Sequence, residues 1–452
     1  MSGKATGRDA SSRPAGSSER PGSPASFNPA NPEDCRVLVE RSIERWSAGA
    51  TAAGAPDWAR IYVPAQQRGR ERTARHLIDT LRRELRRPPS SSSDYRALRR
   101  RSEAWSTAWL CEVLGFDEDA VGTLGHAGFW ILTRRFARDA RRFDPRLSAE
   151  DIFQAIRNAW VIGALQAMFD TPVRLSPAVL GYSLLYPYTD NFMDAPGVET
   201  RVKEAFSQRL ADRLAGGPLA GGLQPGASAL EMRVESLLRM IESTFPLQGF
   251  PQVRAALLAI HAAQIRSLAL QRAQPGAQEV LRISVEKGGA SVLADGCLVA
   301  GRLTPPRAEA CFDYGVFLQF QDDLNDIDSD SAAGIATIFT RAAGEGPLDR
   351  TADRLLDFGR AAVARFDDGG ALLPAAMKRL MNHSALLLQQ QAVALAPERF
   401  SPAWVAARER YSPLSFRGRR ELFAELNVLG RQAREIWQRQ AGAEHLRTCP
   451  AR

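Results

Sequence analysis

The sequence predicts an all-α protein, and three observations carry that expectation. Apolar residues recur every three or four positions through most of the 452 residues. Segment starts carry helix N-cap signals, such as Ser148-Ala-Glu-Asp151, Ser176-Pro177 and Thr304-Pro305-Pro306. No run alternates apolar and polar residues as a half-buried strand would, and no repeat of 20–50 residues is visible. The 44% hydrophobic content is ordinary for a globular chain of this length.

Residues 1–34 are mostly Ser, Gly, Pro and Arg, with almost nothing to bury, and read as a disordered tail. Helical patterning begins near Cys35, and 35–143 reads as an N-terminal helical extension. Within it, 71–85 places Ala74, Leu77, Ile78, Leu81 and Leu85 on one stripe with arginines opposite. Docking against the rest of the protein is favoured for that helix over lying on a membrane. A loop at 88–93 precedes a helix near 95–114, whose Trp105 and Trp109 sit one turn apart and are expected in the core.

A larger bundle is expected over 144–441, with a short tail at 442–452. Its first helix, 152–168, is strongly apolar. The next opens at Ser176-Pro177 with an N-cap and a proline at N1, and ends at Pro196. Pro187 inside it predicts a kink. Helices follow at 198–214, 229–244, 253–271 and 278–299, the last with a break expected at Gly288-Gly289. After Thr304-Pro305-Pro306 come a helix to the acidic stretch, then 348–365, 372–394, 403–410 and 418–441.

The net charge of +8 is spread over a long Arg-rich chain. The basic runs at 68–75, 82–87 and 99–101 have no nucleic-acid-binding motif beside them, so they read as solvated surface and no nucleic-acid partner is expected. Five scattered cysteines form no C-x-x-C pair, which fits free thiols in a reducing compartment. The first 30 residues lack an apolar signal core, and the longest apolar run, 159–169, is too short to span a bilayer. A soluble, cytoplasmic protein is the expectation, with peripheral membrane contact and a homodimer left open.

The stretch 315–330 sets five carboxylates into nine residues, at Asp322, Asp323, Asp326, Asp328 and Asp330. Helical spacing puts Asp322 and Asp326 on one face, roughly 6 Å apart, with Asp323 beside them. Such crowding asks for a positive partner, and hard divalent cations such as Mg²⁺ take oxygen ligands of this kind. An EF-hand is excluded, because Ser331 and Thr337 stand where that loop needs Gly and Glu. A second acidic end lies at Asp190 and Asp194, again i, i+4, with Asn191 adding an oxygen. Two such ends on facing helices would build a metal site over an apolar cavity, with Phe312, Tyr314, Phe317, Phe320, Tyr182 and Tyr186 as candidate wall. Between them in sequence, Lys287, Ser291 and Asp295 share a stripe, and Gly288-Gly289 lets backbone approach a bound group. The five histidines form no ligand pattern, and His261 and Gln264 read as core polar residues before pocket residues.

These motifs resemble those of class I isoprenoid synthases. Phe320-Gln-Asp-Asp-Leu-Asn-Asp326, preceded by Gln319, looks like the second aspartate-rich motif of that superfamily. Lys287-Gly-Gly-Ala-Ser291 resembles the broken helix before it in trans-prenyltransferases, and Asp190-Asn-Phe-Met-Asp194 their first aspartate-rich motif. Arg201 falls where a diphosphate-binding arginine follows. The likeness spans about 148–340, and Arg408-Glu-Arg-Tyr411 is a weaker echo of a C-terminal Arg-Tyr pair.

The resemblance implies an α-bundle around an apolar cavity and a prenyl diphosphate gripped by Mg²⁺, up to three ions. It makes Asp190, Asn191, Asp194, Asp322, Asp323 and Asp326 metal ligands. Lys287 and Arg201 would neutralise the diphosphate, and Ser291, Gln319, Phe317, Phe320, Tyr186, Arg410 and Tyr411 would contact substrate. Asn191 replaces a second Asp, Arg-Arg-Gly is reduced to Arg201-Val-Lys, and the cluster gripping a second diphosphate is absent. Those departures favour ionisation of one substrate and cyclisation, hence a prenyltransferase-like terpene synthase. A chain-elongating or head-to-head prenyltransferase and a non-catalytic helical scaffold are the alternatives.

Overall fold

In the computed structural model the described residues are 28–29, 31–49, 59–86, 91–195, 197–217, 229–246, 248–272, 275–367 and 369–448, and among them all regular structure is helical. Most of the tail expected at 1–34 lies outside them. The chain runs α1 (Pro32–Ala48), α2 (Pro64–Leu85), α3 (Ser92–Ala108), α4 (Glu118–Ala127), α5 (Phe129–Phe143), α6 (Ala149–Met168) and α7 (Pro177–Asp194). It continues with α8 (Thr200–Leu214), α9 (Ala229–Thr244), α10 (Pro251–Ser267), α11 (Ala269–Arg272), α12 (Ala277–Ala300) and α13 (Pro305–Asn325). The last elements are α14 (Ile327–Ala333), α15 (Ile338–Glu345), α16 (Asp349–Ala364), α17 (Leu372–Leu395), α18 (Pro402–Glu409) and α19 (Phe416–Thr448).

The starts follow local chemistry. Ser148 Oγ accepts from the Asp151 amide while the Asp151 carboxylate accepts from the Ser148 amide, a reciprocal cap on α6. Ser176 caps α7 ahead of Pro177 at N1. Helix α7 runs through Pro187 to Asp194, and α19 carries helical backbone through 442–448, where a tail was expected.

Helices α12 and α13 are the central pair. Helix α12 packs on α13, α10, α6 and α1, and α13 packs on α16, α17 and α1. The break expected at Gly288-Gly289 does not occur; α12 is continuous. The glycines serve helix contact instead: a Cβ on Gly289 would enter the Phe312 ring, and one on Gly315 would fall on the Gly288 carbonyl. Backbone touching backbone there outweighs the roughly 1 kcal/mol that each glycine costs inside a helix.

One buried core runs from Leu38, Val39 and Trp46 of α1 through Leu132 and Phe136 of α5 to Phe400 and Trp404 near the C-terminus. It shows no break at residue 143. Trp46 packs edge-on against Phe320, ring centroids 4.7 Å apart. A smaller cluster joins Ala74 and Ile78 of α2 to Trp109, Val113, Leu414 and Leu422. The amphipathic helix at 71–85 thus docks on the protein by its apolar stripe.

Inside the bundle Asp295 is almost fully buried, with the Asn158 amide donating to it at 3.3 Å. Burial pushes its carboxyl well above the usual range. The unfolded chain ionises this group from about pH 4, whereas the folded chain holds the proton, so its contribution to stability falls as pH rises towards the folded pKa. Asp295→Asn is expected to flatten that slope, at most about 1.4 kcal/mol per pH unit, in urea denaturation between pH 4 and 8.

Candidate active site

The last turn of α13 carries Asp322 and Asp323, and Asp326 caps it. Asp322 is exposed and meets Arg157 of α6 at 3.5 Å. Asp323 turns inward and is 6% exposed. Its Oδ1 accepts from Gln319 Nε2 at 2.7 Å, while its buried Oδ2 has no hydrogen-bond partner. Burial pushes the Asp323 carboxyl up to about 7, against the pull of Gln319 and Lys287. Burial and the neighbouring Asp326 and Asp322 raise Asp330 to about 6, again opposed by Lys287. Asp326 is raised by burial and by Asp322.

Lys287, on α12, also lines a cavity of about 180 Å³ between α7, α8, α10 and α12. Asp190 sits in the same lining, its Oδ1 accepting from Gln264 Nε2 of α10 at 2.9 Å. Lys287 thus shares a cavity lining with Asp190 and is felt electrostatically by Asp323 and Asp330.

The apolar wall differs from the expected one. Tyr182 lines the cavity, but Phe312, Tyr314, Phe317 and Phe320 do not. Phe317 stacks on Tyr314 at 5.9 Å, and Phe320 packs with Trp46 and Phe358 in one aromatic cluster. Their periodicity marks core rather than substrate contact. The wall comes instead from Leu185 of α7, Phe206, Leu210 and Leu214 of α8, and Leu257 and Ile260 of α10. The i, i+4, i+8 spacing of Phe206, Leu210 and Leu214 was a visible signal for it.

Other expected site residues are not brought to this cavity. Asn191 turns to Asp151, donating at 3.1 Å, and lines a separate polar groove with Arg146 and Arg233. Arg201 is exposed and pairs with Glu199 at 2.5 Å. Ser291 Oγ donates to the Gly288 carbonyl of its own helix at 2.7 Å. Arg410 and Tyr411 form the turn after α18, their carbonyls accepting from the Tyr62 amide and Gln390 Nε2. Gln319 reaches the site through Asp323. The side chains of Tyr186 and Asp194 lie outside the described residues.

His261 and Gln264, read as core polar residues, are both hydrogen-bonded and both line the cavity. His261 Nε2 lies 3.0 Å from the Ser207 carbonyl, which fixes the proton on that nitrogen, and burial lowers its pKa. Sequence reading missed Arg157, whose only signal is that it is a lone cation in an apolar helix.

Family models, curated proteins and solved structures give no match to this chain. The functional reading therefore rests on the arrangement itself.

Among the described residues, no three His, Cys, Asp or Glu side chains converge to cage a metal. Mg²⁺ seldom uses such cages; it takes one or two carboxylates and completes its shell with water and substrate phosphate. The unpartnered Oδ2 of Asp323 and the mutual repulsion among Asp322, Asp326 and Asp330 suit that chemistry. On these grounds the α13 end fits the ion, whereas Asn191 is turned away from it.

The spacing of Lys287 from Asp323 is set by the Gly288–Gly315 backbone contact. Gly315→Ala is expected to push α12 and α13 apart, costing about 1–3 kcal/mol in urea denaturation and lowering any activity of the site.

Proposed function

We propose that the chain is a Mg²⁺-dependent class I terpene synthase, ionising a linear prenyl diphosphate and cyclising the cation. The observation that carries this reading is Lys287: it lines the apolar cavity together with Asp190 and is felt by Asp323 and Asp330. A greasy chain and a polyanionic leaving group need these neighbours side by side.

Bound Mg²⁺ would supply charge neutralisation on the departing pyrophosphate. Asp323 and Asp326 at the end of α13 would hold it, one or two carboxylates being what such an ion usually takes from a protein. Lys287 would pair with diphosphate oxygens from the cavity side, and Gln319 orients the Asp323 carboxylate through its 2.7 Å hydrogen bond. Leu185, Leu210, Leu257 and Ile260 would exclude water around the chain, and Tyr182 and Phe206 are the aromatic residues of the lining that would stabilise positive charge. The unfilled space of about 180 Å³ is near the ~150 Å³ of an apolar cavity that takes one benzene. A short prenyl chain is therefore the expected best substrate.

The test is pyrophosphate release with Mg²⁺ across C10 to C25 prenyl diphosphates, followed by product analysis with and without isopentenyl diphosphate. Cyclic or rearranged hydrocarbons from one substrate support the reading. Longer linear products that need both substrates indicate chain elongation instead. A second reading, a non-catalytic helical scaffold, is favoured by Arg201, Asn191, Arg410 and Tyr411 lying away from the cavity. It predicts no pyrophosphate release under any of these conditions.

A further inference from the structure

The outer face of the α5–α6 hairpin exposes large apolar side chains in a basic setting. Ile131, Phe153 and Trp160 are 50%, 52% and 38% exposed. On α6, Phe153, Arg157 and Trp160 follow i, i+4, i+7 spacing. On α5, Ile131, Arg135, Arg138 and Arg142 follow i, i+4, i+7, i+11, so each set forms one stripe, and all seven residues are exposed. Trp160 Nε1 donates to Thr133 Oγ1 of α5 at 2.9 Å, and Gly163 packs against Leu132. That register runs the two helices antiparallel, with Ile131 beside Trp160 and with Arg138 and Arg142 toward Phe153. The Phe153 and Trp160 rings meet edge-on, centroids 6.1 Å apart.

The charge of α5 is one-sided. Helix α5 carries five arginines against one carboxylate, Asp139, for a net +4. Asp139 is shared by Arg138 at 2.7 Å and Arg142 at 3.7 Å, and Arg134 pairs with Glu103. On α6, Glu150 is exposed, Asp151 is engaged in the cap, and Arg157 reaches Asp322.

We propose that this face docks on an anionic lipid surface. Ile131 and Phe153 enter the boundary between headgroups and acyl chains as apolar anchors, and Trp160 sits at headgroup level. Arg135, Arg138 and Arg142 meet lipid phosphates, which guanidinium groups bind in bidentate fashion. Charge selects this occupant over a second copy of the chain, because a two-fold pairing of the face would set one arginine stripe against its twin. The inference stands independently of the enzymatic reading. Through Arg157 and Asp322, it also places the lipid beside the acidic end of the bundle.

The experiment is co-sedimentation of the full chain with vesicles of phosphatidylcholine alone and of phosphatidylcholine mixed with phosphatidylglycerol. Binding is expected only to the mixed vesicles, falling as salt rises. Arg135→Ala/Arg138→Ala/Arg142→Ala should lower the partition coefficient about a hundredfold, roughly fivefold per arginine. Phe153→Ser/Trp160→Ser should lower it at least about tenfold, with circular dichroism and melting temperature checking the fold. If the aromatic variant fails to fold, the arginine variant decides, since its substitutions are solvent-facing. Absence of binding, equal binding to neutral vesicles, or binding undiminished in the arginine variant overturns the proposal. So does a dimer in sedimentation that the same substitutions dissolve.

Discussion

Asp323→Asn is expected to lower pyrophosphate release from a prenyl diphosphate by about a hundred- to a thousandfold, the usual cost of removing a group that stabilises a developing anion. The melting temperature should stay level or rise. Both outcomes come from one side chain. The asparagine oxygen can still accept from Gln319, so the local hydrogen bond survives. What disappears is the charge, whose burial costs more than that of the neutral amide left in the same unpartnered place. Steady-state kinetics with Mg²⁺ beside a thermal melt would separate this from general damage, which would lower both. A wild-type chain without activity would remove the kinetic half and leave the scaffold reading in place.

Asp313→Ala is expected to destabilise the protein by about 3–5 kcal/mol, the range for breaking a buried ion pair from one side. Asp313 is 1% exposed and anchors three elements at once. It accepts from Ser42 and Arg45 of α1, with Arg45 at 2.9 and 3.0 Å, and pairs with Arg365 at the end of α16 at 2.9 Å. The loss should fall near the lower limit, because the Arg365 side chain is 37% exposed and can turn to water. Urea denaturation measures the loss. Limited proteolysis should show α1 cut first, since Asp313 ties that helix to α13.

The helical class was legible because it needs only periodicity and caps. The Ser148–Asp151 box, Ser176-Pro177 and Thr304-Pro305 each open a helix where expected. Helices α4 and α5 were not anticipated, although Asp117 caps the first and Gly128, with φ of 114°, separates the two. The Gly288-Gly289 break was misread because a local rule met a tertiary need: intrinsic propensity cannot register a neighbouring helix that requires the missing Cβ. In the candidate site, Asp190 and Lys287 line one cavity, and Asp323 lies within electrostatic reach of Lys287 but outside that lining. Arg201, Asn191, Arg410 and Tyr411 do not join them, because order along a chain says nothing about which way an exposed side chain turns. Phe317 and Phe320 followed the commoner fate of aromatic residues at helical spacing, which is core packing.

The contact of Gly288 with Gly315 leaves Lys287 and Asp323 mounted on a pair of helices that meet backbone to backbone. The cavity wall, by contrast, comes mostly from α7, α8 and α10, so its shape is set by residues outside that pair. Selection on this chain could therefore revise which guest it accepts while inheriting its charged apparatus unaltered. A library limited to apolar residues at Leu210, Leu257 and Ile260, which are buried in the core, should alter the substrate range while keeping the fold.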